Sequence, residues 1–414
     1  MIEAPLTWGQ QDVWRAVLAA EPQEQYLNLA RVFAGPKRPV TVRQARLALD
    51  RLVARHEALR TRLTGPREAP RQLVAETATP YLEIVEGERA HRVSERLSAK
   101  PFDYWREWPL RAAFVVGDGF VRQVVVVLCP LAADGLGADL VARDLRLLLS
   151  RGELPPLQAD RPRDLAGWQG SADGRGHSDE TVAWWLAEYA RIDPFELTAS
   201  PHRPRYVEAT MTSTALAAAV RTVAARRRVA SSAALLTGAL SLVGRLTGQR
   251  SCGMRVIVDN RFTGGRHDVV STLAQEGLVV LEPGTPDFGA LAHQGAQALL
   301  RACRRAEYNP FALEEALAGS RARSFGRFHD GRAVRRDPPP ELDARQIRRA
   351  MDKTDLAWTD AMDRNISDFR LYVSGEPDRM DVSLRADTGL LSPLAIEAYL
   401  LDLERLFVEE SLVA

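Results

Sequence analysis

Val124-Val125-Val126-Val127-Leu128-Cys129-Pro130-Leu131-Ala132-Ala133-Asp134-Gly135-Leu136 is the stretch from which the chain is best read. The β-branched run 124–127 has no polar alternation, so it reads as a strand buried on both faces. Pro130 ends it, because proline brings no N–H to a ladder. Asp134-Gly135 is a turn signal. Leu140, Val141, Asp144, Leu145, Leu148 and Leu149 then follow helical spacing. A rigid strand feeding a tight loop over a helix start is a common place for chemistry. It is also an ordinary strand–turn–helix connection, and taken alone the stretch favours that reading.

Composition narrows the rest. The chain has 414 residues, which suits two lobes better than one core. Its net charge is +1, so no global field draws it to nucleic acid or a membrane. Cys129, Cys252 and Cys303 are far apart and lack metal-ligand spacing, which points to core thiols in a reducing cytoplasm and to no metal site. The chain opens Met1-Ile2-Glu3-Ala4-Pro5, without a basic region before an apolar run, so no signal peptide is read. No apolar stretch has bilayer length. No phosphate-binding glycine loop or zinc signature is present, and no bound cofactor is expected. A monomer is expected.

Outward from the central stretch, Thr7 reads as the N-cap of a short helix in Leu6-Thr7-Trp8-Gly9-Gln10-Gln11. Residues 28–33 read as a strand. Residues 41–55 read as an amphipathic helix with Ala45, Leu49, Leu52 and Val53 inward. His56-Glu57-Ala58-Leu59-Arg60-Thr61, Pro101-Phe102-Asp103 and Trp108-Pro109-Leu110-Arg111 follow. Strands are expected at 72–75, 82–85, 112–116 and 120–129. Leu165-Ala166-Gly167-Trp168-Gln169 and Trp184-Trp185 come next. Residues 170–176 and 194–204 have turn and linker composition, around a helix at 179–192. A second half then restarts: strand 207–212, helices 214–227 and 231–246, strand 252–259, strand 277–281, helix 288–306, a hairpin from 371–373 and 380–384, and a last helix opened by Ser392-Pro393. The arginine-rich residues 321–349 read as a solvated loop, or as a surface for an acidic, phosphate-bearing partner.

In this order the segments resemble the condensation domains of nonribosomal peptide synthetases. That family shows a leucine-rich opener with paired glutamine, a helix ending His-Glu-Ala-Leu-Arg-Thr, Pro-Phe-Asp before Pro-Leu, and a His-His-x-x-x-Asp-Gly loop. Here the loop reads Cys129-Pro130-x-x-x-Asp134-Gly135, so both histidines are replaced, including the family's catalytic second one. Tyr308-Asn309-Pro310-Phe311 resembles a later family motif. The resemblance implies an α/β fold of mixed α+β type: two chloramphenicol acetyltransferase-like lobes in a V, around a central tunnel. The boundaries read as 1–170 for the first lobe, 171–204 for the crossing and 205–414 for the second. It also implies acyl transfer from a carrier-bound thioester to an amine or hydroxyl. Both substrates would ride on, or meet, the phosphopantetheine arm of an acyl or peptidyl carrier protein, with a small-molecule acyl acceptor.

Pro130 has neither side-chain heteroatom nor N–H and cannot act as the missing base. Cys129, ending a buried strand, reads as a small hydrophobe rather than a nucleophile. The family pairs its loop aspartate with an arginine of the second lobe, which makes Arg261 the candidate partner of Asp134, with Arg255 second. Gly135 is expected to permit positive φ. Ser271, Thr272, Gln275 and Glu276 fall where the family lines its tunnel. Glu276 would be a base if partly buried and a solvated carboxylate otherwise. His267 is the histidine nearest such a role. Three readings follow: a condensation-like acyltransferase working without the histidine, to which the reading leans; a catalytically silent protein that binds carriers or recruits a tailoring enzyme; and a repurposed tunnel performing cyclisation or elimination.

Overall fold

The computed structural model describes residues 1–413 except 198, 263–264, 285–286, 321–322, 333–338 and 366. Its internal contacts define two units. The first is Met1–Asp179 with Asp259–Gln275 and Tyr308–Pro310; the second is Glu180–Val258, Glu276–Glu307 and Phe311–Ala414. The units therefore interleave in sequence, whereas the sequence reading had uninterrupted halves.

The first unit contains β1 (Ile2–Pro5), α1 (Trp8–Ala20), β2 (Leu29–Ala34), α2 (Val42–Arg55), β3 (Thr61–Thr64), β4 (Arg71–Val74), β5 (Tyr81–Glu86), α3 (Ala90–Ser98), β6 (Leu110–Gly117), β7 (Phe120–Leu128), α4 (Gly135–Arg151) and α5 (Pro162–Gln169). Its main sheet has the order β2-β7-β6-β5, and β1-β4-β3 form a smaller one. β7 is central, antiparallel to both neighbours. Its residues alternate between two cores. Val124, Val126 and Leu128 join Leu49 and Leu52 of α2 and Val141 and Leu145 of α4. Val125, Val127 and Cys129 join Trp14 of α1 and Val93 and Leu97 of α3. Helices on both faces are what require an unbroken apolar strand; each buried Val or Leu contributes roughly 1.5–3 kcal/mol.

α6 (Ala172–Tyr189) carries the chain toward the second unit. The piece 170–176, expected as linker, is mostly its first turn. Gly174 is needed there because a Cβ would lie 2.2 Å from the Trp168 carbonyl oxygen.

The second unit follows with β8 (Tyr206–Ser213), α7 (Thr214–Arg227), α8 (Ser231–Thr247), β9 (Cys252–Val258), β10 (Gln275–Leu281), α9 (Phe288–Arg304), α10 (Pro310–Leu317), β11 (Arg327–Asp330), α11 (Ala344–Met351), β12 (Asp355–Met362), β13 (Phe369–Glu376), β14 (Arg379–Asp387) and α12 (Pro393–Leu412). Its strands form one sheet ordered β10-β9-β11-β13-β14-β8-β12. Met211, Leu371, Val373, Val382 and Leu384 pack with α7, α8 and α12 on one face. The arginine-rich segment expected as a loop holds β11 and α11. β11 pairs in parallel with both β9 and β13 and so sits inside the sheet. Residues 323–326, 331–332 and 339–343 are loop as expected, and 321–322 and 333–338 lie outside the described residues.

Candidate functional site

The loop after β7 is built by its own sequence. Cys129 N donates to Pro109 O at 3.1 Å, ending the ladder, and Ala132 N donates to Cys129 O at 3.1 Å. That second bond closes a β-turn with Pro130 at its first central position, where a fixed φ is already correct. The Pro130 carbonyl accepts from the Thr272 hydroxyl.

Asp134 then caps α4. Its Oδ1 accepts from Gly137 N at 2.8 Å. Its Oδ2 accepts from Leu273 N and Ala274 N, both at 3.0 Å, and from Arg261 Nη1 at 2.8 Å. Arg261 is 3% exposed and its remaining donors are spoken for: Nη2 reaches Ser271 O at 2.9 Å and Val269 O at 3.2 Å, and Nη1 also reaches Asp259 O at 3.1 Å. Asp134 and Arg261 thus form a buried ion pair with its donors and acceptors met, the condition under which burying two charges is tolerated. All of these residues belong to the first unit.

Gly135 differs from expectation. It has no positive φ and is the first residue of α4; a Cβ there would meet nothing within 4 Å. Its carbonyl accepts from Arg31 Nη2 at 2.9 Å. The close approach falls at Gly137, where a Cβ would lie 3.1 Å from Ser271 O and 3.2 Å from Asp134 Oδ1.

Of the possible replacements for the histidine, Cys129 and Glu276 do not have the form of a free base. Cys129 is buried against a cavity of about 20 Å³ lined by Leu6, Phe102, Tyr104 and Leu131. Burial pushes its thiol up to about 12, so it stays protonated and un-nucleophilic at neutral pH. Glu276, of the second unit, is buried, which by itself raises a carboxyl; Arg327 and Arg255 outweigh that and hold it below its ordinary range. Its Oε2 accepts from Arg255 Nη1 at 3.0 Å, and Arg327 pairs with the other oxygen. Arg255, the second candidate for Asp134, is therefore committed to Glu276 and to the Tyr189 hydroxyl. His267 is exposed on the first unit. Ser271 contributes its carbonyl to Arg261, Thr272 its hydroxyl to Pro130, and Gln275 its amide to Tyr308 O at 2.9 Å.

The other motif segments act as clamps. Buried Arg111 donates to Leu97 O, Lys100 O and Pro101 O and pairs with Glu107. Gln169 Oε1 accepts from Trp8 N at 2.8 Å. One cluster went unread in sequence: His56 Nε2 lies 3.0 Å from Asp144 Oδ2, which Arg55 Nε also reaches at 2.9 Å, while Arg143 Nε takes Oδ1 at 2.9 Å. The only sequence signal for it was a polar Asp144 on the apolar face of a helix.

Loop and sheets together define a protein of the condensation-domain fold. No family model matches the chain. Its sequence is 29% identical over 329 residues to phosphinothricin tripeptide synthetase PhsC of Streptomyces viridochromogenes, a match covering 73% of this chain and 30% of that synthetase. The chain thus spans under a third of the length of this relative. In structure it is similar to the condensation domain of the Monacolin K polyketide synthase MokA, with TM-score 0.78, 16% identity and 99% and 98% of the two chains covered. It is also similar to the X-domain complexed with OxyB from teicoplanin biosynthesis, with TM-score 0.70, 19% identity and 99% and 94% covered. The chain thus has the condensation-domain fold and is similar in sequence to this peptide synthetase.

Proposed function

We propose that this protein binds a substrate presented on a carrier protein, or recruits a partner to one, and does not itself form amides at the loop. The observation that carries this reading is the loop's composition: the four-donor clamp on Asp134 is intact, while the histidine's position holds a turn proline and the preceding residue a buried, protonated thiol. The scaffold is kept and the proton acceptor is not. The X-domain, one of the structural neighbours, is described in complex with OxyB, which supports recruitment as a use of this fold.

Acyl transfer to an amine or hydroxyl is the second reading. A thioester is already activated, and orientation alone supplies much of the rate in such sites. It takes second place because Glu276 is locked between two guanidiniums and His267 is exposed.

Two measurements separate the readings. Calorimetric titration with holo and apo carrier protein, at low and physiological salt, should show weak, salt-sensitive binding that favours the holo form. If neither form binds in either buffer, the carrier reading fails. Intact-mass analysis of an acyl-loaded carrier mixed with amines should show the acyl group retained. Brisk transfer by the native chain would restore the acyltransferase reading, and transfer only by Pro130→His would mark an otherwise complete catalytic site.

A further inference from the structure

The second sheet carries a row of charged residues on the face opposite its helices. Adjacent strands set Arg255 of β9 beside Arg327 of β11, Arg327 beside Arg370 of β13, Arg370 beside Arg385 of β14, Arg385 beside Glu208 of β8, and Glu208 beside Asp360 of β12. Each arginine alternates with core residues such as Val256, Phe328, Leu371 and Leu384, which fixes the shared face. Like charges directly opposite one another on neighbouring strands destabilise a sheet, so four successive arginines need compensation.

Both ends of the row have it. Glu276 bridges Arg255 and Arg327. Arg385 pairs with Glu208 at 2.9 Å and Asp360 at 2.8 Å. Arg370 lies between these groups, and among the described residues no carboxylate pairs with it. It is half-buried, its guanidinium 5.4 Å from the Tyr372 ring centre. Within the row, Arg370 is thus the guanidinium without a carboxylate partner among the described residues. Its neighbour Arg327 also lines a cleft of about 300 Å³, whose walls include Tyr189, Phe195 and Phe369 and the charged Arg255, Arg323 and Asp368. Every one of these residues belongs to the second unit.

We infer that this face binds a small organic carboxylate, with Arg370 and Arg327 holding the carboxylate and the cleft covering its apolar part. A guanidinium without a carboxylate of its own suits an anion. The planar guanidinium fork matches carboxylate geometry. The cleft has the volume of a small-ligand site and aromatic walls suited to an apolar or aryl group. His329, two residues beyond Arg327 on β11, packs edge-on against Tyr372 with ring centres 5.1 Å apart. Burial and Arg370 push its pKa down, against Asp330, so its titration reports on the charge state beside it.

This inference stands apart from the carrier reading, and its test uses no carrier. The full chain is titrated with benzoate, with the neutral isostere benzamide and with inorganic phosphate, followed by amide and histidine NMR. Benzoate should bind saturably and raise the His329 midpoint; benzamide and phosphate should bind at least about tenfold more weakly. Arg370→Gln should weaken benzoate about tenfold, and Arg370→Lys should recover part of that loss. Unchanged near-UV circular dichroism certifies both variants, and the native protein's preference for benzoate over benzamide tests the idea without them. Absence of saturable benzoate binding, equal affinity for benzamide, or undiminished binding by folded Arg370→Gln overturns it. Tighter binding of phosphate overturns the carboxylate assignment.

Discussion

At the scale of single residues, the loop combines a fully engaged aspartate with a turn proline and a buried thiol. Asp134 serves three backbone N–H groups and one guanidinium, so its role is to hold α4 and the 271–274 segment together. Asp134→Asn would set an amide nitrogen against donors, or leave Arg261 without its counter-charge. Breaking a buried pair in this way costs about 3 kcal/mol, enough to lower Tm by several degrees. A variant that melts like the native chain would show that the clamp is dispensable. The His56–Asp144 pair sets the acid limit. Burial pushes His56 below its ordinary 6.5, more than Asp144 raises it, so the folded state holds it neutral while the unfolded chain protonates freely. Its contribution is complete above pH 6.5 and is lost as pH falls toward its folded value. Burial acts upward on Asp144, but His56 and Arg143 hold it at about 2, below its ordinary 3.8. Its contribution is complete above pH 3.8 and disappears through about 2. Urea midpoints should therefore begin to fall between pH 7 and 5. His56→Gln should flatten that slope, and an unchanged slope would assign it to other groups.

At the scale of elements, legibility followed local physics. β7 was plain because an apolar run without alternation needs cover on both faces, and it received α2 and α4 on one and α1 and α3 on the other. Thr7, Thr41 and Ser392 cap their helices through their own side chains, a signal contained within four residues. β11, α11 and β12 were not legible. Only Ile347 of α11 is buried, and β12 is an edge strand with mostly exposed side chains, so neither leaves an apolar period to read. The row from Arg255 to Arg385 was invisible for a different reason: register between distant strands is set by tertiary pairing. The glycines at the start of α4 give a paired test. Gly135→Ala adds a methyl to open space at a helical position and should be neutral or stabilising by up to about 1 kcal/mol. Gly137→Ala gains the same propensity but pushes its methyl onto the Ser271 carbonyl, which Arg261 holds fixed. It should be the less stable of the two by about 1 kcal/mol, read from urea midpoints. The reverse order would mean that the 271–274 segment yields.

At the scale of the whole molecule, the chain visits its first unit three times. Residues 1–170 look self-sufficient in sequence: they hold every strand of both small sheets and the helices that cover them. Yet the loop's counter-charge comes from Asp259–Gln275, after the chain has built much of the second unit. That return also supplies Val270 to the core beside α2 and α4, and the Thr272 carbonyl against which Gly9 packs, where a Cβ would lie 2.5 Å away. A fragment ending at Asp179 therefore keeps its apolar pattern while leaving Asp134 without Arg261 and opening that side of the core. Loss of one partner of a buried pair costs about 3–5 kcal/mol, a large share of the roughly 5–15 kcal/mol that holds a domain folded. The fragment should keep far-ultraviolet helix signal, lose near-ultraviolet tertiary signal and bind a hydrophobic dye, as a loosely packed state does. Asp134→Leu within the fragment should improve its melting, because an apolar side chain no longer needs the absent arginine; the same change in the full chain should be harmful, because Arg261 is then stranded. A fragment that folds tightly with Asp134 intact would show that the return segment is not required and that the clamp adds little to stability.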